Sequence, residues 1–124
     1  MEIFCRKATG TCPEITFDPF RNYFEIKGIS RPENVSLFYD PLLEWLDIYV
    51  KDPNKKTTII LNFISINTAS IKMLLLLLKK CKEIEDTSNA IDIIWKYQSD
   101  DDGMLEAGKL LCEMSKIKFE YQKV

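Results

Sequence analysis

Thr57-Thr58-Ile59-Ile60-Leu61-Asn62-Phe63-Ile64-Ser65-Ile66-Asn67-Thr68-Ala69-Ser70-Ile71-Lys72-Met73-Leu74 carries a β-branched apolar run that stops at Asn-Thr-Ala-Ser and passes into a leucine-rich helical pattern. The run predicts a strand from Thr57 to Ile66, apolar enough on both faces to be central in a sheet covered on both sides. The helix that follows is expected over about Ala69 to Asp86. Asn67 or Thr68 is a natural N-cap, so the free N–H groups and positive dipole end of this helix point into the corner. Such a corner accommodates a phosphate. Capping by itself also accounts for a hydroxyl at this place.

Upstream, Glu14–Asp18 and Tyr23–Gly28 alternate apolar with polar around Pro19-Phe20-Arg21-Asn22, which reads as a hairpin. Arg31-Pro32-Glu33-Asn34 is a turn, and Leu42, Trp45, Leu46 and Tyr49 recur at helical spacing through about Asp52. Two starts fit this helix: Asn34 with a kink at Pro41, or Asp40 as cap with Pro41 at the first helical position. Downstream, Ala90–Tyr97 reads as a strand, Met104–Ser115 as a helix and Lys118–Gln122 as a last strand. The order ββαβαβαβ implies one α/β domain over residues 1–124, a mixed sheet joined by right-handed crossovers with helices packed on it.

On the wheel of the central helix, Ile71, Leu74, Leu75, Leu77, Leu78 and Cys81 share a wide face, with Lys72, Lys79 and Glu83 opposite. Leu76 falls among the charges, which marks Leu76 and Lys79 as partner-contact candidates.

Composition narrows the chemistry. With 124 residues, 46% hydrophobic and 29% charged, the chain has the make-up of a globular domain that needs neither disulfide nor metal to fold. A net charge of −2 and a pI near 5.2 offer no broad basic field for nucleic acid. No apolar run approaches the ~20 residues that span a bilayer, and the first residues lack a signal-peptide core, so a cytoplasmic location is expected. Cys5, Cys12, Cys81 and Cys112 form no C-x-x-C pair, and there is no histidine. Zinc sets and His-assisted nucleophiles are therefore hard to assemble. The thiols are expected to be reduced and mostly buried.

Two motifs fail on inspection. Gly103-Met104-Leu105-Glu106-Ala107-Gly108-Lys109-Leu110 has leucine where a phosphate loop places the magnesium-binding hydroxyl, and its middle residues are helix formers. Asp100-Asp101-Asp102-Gly103 lacks the calcium-loop spacing and reads as a turn capping the next helix. No cofactor or metal site is expected. A different possibility is a metabolite or nucleotide bound at the carboxyl ends of the strands, with Asp18, Asn67, Ser70 and Lys72 as contacts.

Taken together, Pro13-Glu14-Ile15 with Phe17-Asp18, Arg31-Pro32-Glu33-Asn34, Phe38-Tyr39-Asp40-Pro41, Trp45-Leu46, Asn67-Thr68-Ala69-Ser70 with Lys72, Asp100-Asp101-Asp102 and Met104–Gly108 resemble the SiaC family of bacterial regulatory phosphoproteins. The resemblance covers nearly the whole chain. It implies a fold like that of STAS-type anti-sigma factor antagonists and a non-enzymatic switch. In the family, a serine/threonine kinase adds a phosphate, a PP2C-like phosphatase removes it, and the unmodified form binds and activates a diguanylate cyclase. The family's acceptor threonine follows an asparagine at the strand-to-helix corner, which here is Thr68, with Ser70 as second choice. The family's usual Asn-Thr-Ser-Ser reads Asn-Thr-Ala-Ser in this chain, which removes one alternative acceptor.

Overall fold

The computed structural model describes residues 2–124. Six strands and three helices follow one another as β1 (Phe4–Arg6), β2 (Glu14–Asp18), β3 (Tyr23–Ser30), α1 (Val35–Tyr49), β4 (Lys56–Ile66), α2 (Thr68–Lys82), a 3-10 turn (Glu83–Thr87), β5 (Ala90–Tyr97), α3 (Asp102–Ser115) and β6 (Lys118–Lys123). The sequence pattern missed β1, whose three residues are too few to show a period; it pairs antiparallel with β2. The strands lie side by side in chain order. The β2–β3 hairpin is antiparallel, and β3 to β6 run parallel.

Chain order explains why the sheet is covered on one face only, contrary to the expectation for β4. Right-handed crossovers that always step in the same direction place every helix on the same side, and only a reversal of strand order would cover the other. Accordingly α2 packs against both α1 and α3. Along β4, Thr57, Ile59, Leu61 and Phe63 are buried beneath the helices, whereas Thr58, Ile60 and Asn62 are half-buried on the open face. Ile64 is 71% exposed. Gly28 faces Phe63 and Ile29 faces Ser65, so Ile64 is the extra residue of a bulge. Gly28 sits at φ 113°, a conformation that glycine alone adopts without strain.

Asn34 starts α1: its side chain accepts the Leu37 N–H at 3.1 Å, and Pro41 lies inside the helix. An early cap with an internal proline is therefore the outcome. The carbonyl that Pro41 leaves without an intrahelical donor belongs to Leu37, which is exposed enough for water to serve. In α2 the buried residues are Ser70, Met73, Leu74, Leu77, Leu78 and Cys81, with Ile71 and Leu75 at the margin. The helix ends at Lys82, four residues before the expected end, and finishes in the tighter 3-10 turn.

In α3, Asp101 caps the first turn by accepting the Met104 N–H at 3.0 Å. The stretch that imitates a phosphate loop is helical throughout. Its Gly108 lies against the buried Trp95 indole, whose N–H donates to the Met104 carbonyl at 3.0 Å. Of the four cysteines only Cys81 is buried; Cys5 is exposed, and Cys12 and Cys112 are half-buried, so the expectation of mostly buried thiols is corrected.

Candidate functional site

The corner between β4 and α2 is assembled from three elements. Asn67, at φ −92° and ψ 168°, is the N-cap, and its side-chain oxygen accepts the Ser70 N–H at 2.8 Å. Its own N–H donates to the Ser30 carbonyl at 3.1 Å, which ties the corner to the end of β3. Thr68 is thereby left at the first helical position with its side chain exposed and no capping duty. Ala69 beside it is exposed as well.

Ser70 has the opposite environment. It is fully buried, and its hydroxyl donates to the Ser30 carbonyl at 3.1 Å. Because that proton is committed, the Ser30 hydroxyl donates to Ser70 Oγ at 2.9 Å, and the Tyr39 hydroxyl donates in turn to Ser30 Oγ at 2.6 Å. The chain Tyr39–Ser30–Ser70 pins α1, β3 and α2 together through hydroxyls that are all buried. Burial pushes the Tyr39 hydroxyl up to about 12, so it stays a proton donor across the physiological range. Ser70 in the folded chain is a structural residue, and a phosphate on it would have to replace this network.

Lys72 and Lys79 are exposed, and Leu76 is 54% exposed. With Thr68 they form the outward stripe of α2, at positions 68, 72, 76 and 79, opposite the buried face. Lys80 differs: it bridges to Asp47 of α1 at 2.8 Å and to Glu83 at 3.1 Å. At the end of β3, Arg31 follows Ser30, which lies abreast of Ile66, and its Nε donates to Ser65 Oγ at 2.7 Å. Sequence reasoning missed Ser30 and Ser65, and named Arg31 only as part of a turn motif, without its place at this corner. They are distant in the chain and become neighbours only through the β3–β4 register; Tyr39 at least stood within a recognisable motif.

The residues suggested for a metabolite do not converge. Asp18 ends β2 at the hairpin, abreast of Tyr23, at the end of the sheet opposite Thr68 and roughly 30 Å away at strand rise. There its carboxylate accepts the Phe20 and Arg21 N–H groups and the Arg21 guanidinium at 2.7 Å, which holds it below its usual range. It builds the turn. Next to this corner a cleft against α3 measures about 260 Å³, small for an organic ligand, and is lined by Ser65, Ile71, Asp101 and Met104 among others. Among the described residues no group of three or more His, Cys, Asp or Glu is clustered to hold a metal ion. No described helix is long and apolar enough to cross a membrane.

Fold and corner together define a mixed α/β domain whose exposed hydroxyl stands at a capped helix N-terminus. The chain belongs to the SiaC family of regulatory phosphoproteins, whose family description matches residues 6–124. It is 22% identical over 114 residues to an uncharacterized protein of Pseudomonas aeruginosa strain UCBPP-PA14, covering 92% of this chain and 90% of that one. Its fold is that of the crystal structure of apo-SiaC from Pseudomonas aeruginosa, with a TM-score of 0.86 at 22% identity over 98% of this chain and 99% of the other. SiaC in the crystal structure of the diguanylate cyclase SiaD in complex with its activator SiaC is similarly close, with a TM-score of 0.88 at 21% identity over 98% and 99% of the two chains.

Proposed function

We propose that this chain, acting as one domain over residues 1–124, is a non-enzymatic cytoplasmic switch that is phosphorylated on Thr68. The observation that carries the reading is the contrast at one corner: Thr68 is exposed and free of capping duty, whereas Ser70 is buried and fully hydrogen-bonded. A kinase requires the hydroxyl it modifies to be reachable. Family membership supports the rest: a serine/threonine kinase as writer, a PP2C-like phosphatase as eraser, and a diguanylate cyclase as the output that the unmodified form binds and activates, tying the switch to cyclic-di-GMP and biofilm control.

The outward stripe of α2 is the surface for that output, with Leu76 as the apolar contact and Lys72 and Lys79 beside it. Phosphorylation adds about −1.5 to −2 charges at the head of the stripe and repels an acidic partner. The test is to isolate the protein from its native host, map its phosphate by mass spectrometry, and compare retention of the host's diguanylate cyclases by the modified and unmodified forms. Phosphate on another residue with Thr68 untouched removes the assignment. Stronger retention by the phosphorylated form reverses the sign of the switch.

A further inference from the structure

Two cations stand near the corner, and the structure distinguishes them. Arg31 spends one of its five N–H groups, the Nε–H, on Ser65 Oγ of β4 at 2.7 Å. Lys72 makes no ion pair among the described residues and is exposed one helical turn beyond Thr68. Asp101, the N-cap of α3 that lines one cleft with Ile71, is occupied in accepting the Met104 N–H. Residues four apart on a helix have Cβ atoms about 5–6 Å apart, and an anion N-terminal to a lysine at this spacing is the favourable orientation.

Resting on the assignment of Thr68 as acceptor, we infer that Lys72 receives the phosphate within α2. The pair has a consequence for signalling. It neutralises one of the two lysines flanking Leu76 at the moment the new negative charge arrives, so one modification changes the charge of the stripe twice. Lys72 is a positioning residue for the phosphoryl group and does not take part in its transfer.

The experiment uses full-length protein with phosphothreonine installed at position 68 during translation, followed by ³¹P NMR titration of the phosphate between pH 4 and 9. In Lys72→Gln the second phosphate pKa should rise by about 0.3 unit or more, the shift expected for loss of one exposed pair with a near-dianion. Lys72→Arg should restore the parent value, Lys79→Gln should leave it unchanged, and the difference should shrink in 1 M salt. The inference is overturned if Lys72→Gln titrates like the parent, or if Arg31→Gln produces the shift and Lys72→Gln does not. Because the phosphate is placed at 68 by synthesis, this result stands apart from the mapping in native cells: phosphate found elsewhere would sink the acceptor assignment, whereas a silent Lys72→Gln with phosphate on Thr68 would sink only this pairing.

Discussion

Ser70→Ala should destabilise the protein by about 1–2 kcal/mol while leaving Thr68 as good a phosphate acceptor as before. The magnitude follows from counting protons in the buried chain. Tyr39, Ser30 and Ser70 contribute three hydroxyl protons, and the acceptors are Ser30 Oγ, Ser70 Oγ and the Ser30 carbonyl. Without Ser70 Oγ, the two remaining hydroxyls satisfy one bond between them, and whichever way they turn one buried O–H lacks an acceptor, at roughly 1–3 kcal/mol. The Ser30 carbonyl itself still holds the Asn67 N–H, so it is not orphaned. Alanine's better helix propensity returns roughly 0.5 kcal/mol. Urea unfolding followed by circular dichroism should show a lower midpoint at unchanged slope, and a thermal midpoint lower by about 4–8 °C for a domain of this size. Ser30→Ala combined with Ser70→Ala should cost less than the sum of the single changes, because both break one chain. A Ser70→Ala protein as stable as the parent would refute the network, and loss of Thr68 phosphorylation in a folded Ser70→Ala protein would refute the separation of structural from modified hydroxyl.

Thr68→Ala should stay within about 0.5 kcal/mol of the parent, because Asn67 carries the cap, and should keep binding the output protein in a pull-down. Asn67→Ala should cost about 1 kcal/mol in the same denaturation assay. Leu76→Asp should weaken partner retention with the unfolding midpoint unchanged, since the side chain is more than half exposed. Gly108→Ala should lose about 1–3 kcal/mol despite alanine's helix propensity, because the new Cβ would lie 2.6 Å from Trp95 Cδ1 and Nε1; a gain in stability would show that the indole yields freely. Tyr39 and Cys81 are both raised to about 12 by burial, so the stability they carry is fully present below their unfolded values and is lost as pH climbs toward 12. Tyr39→Phe should remove about 2 kcal/mol of that alkaline loss, read as stability against pH from 8 to 11.5.

The sequence by itself determined the elements with strong local signals. The β2–β3 hairpin, β4, β5, α3 and β6 appear where their periodicity places them, because alternation and helical spacing are imposed by which neighbours in the chain share a face. The Asn67-Thr68 corner and the exposed Leu76 were legible for the same reason: caps and helix faces are local. Tertiary structure alone decided three things. Whether β4 is covered once or twice depends on the direction in which successive crossovers step, and its isoleucines on the open face look the same from the sequence in either case. The choice between Asn34 and Asp40 as the start of α1 required Tyr39 to be held against β3 by Ser30, which makes a helix with an internal proline worth forming before Pro41. The different fates of Thr68 and Ser70 arise from a hydrogen-bond partner 40 residues away, and a pairing across that separation exists only once β3 and β4 are in register.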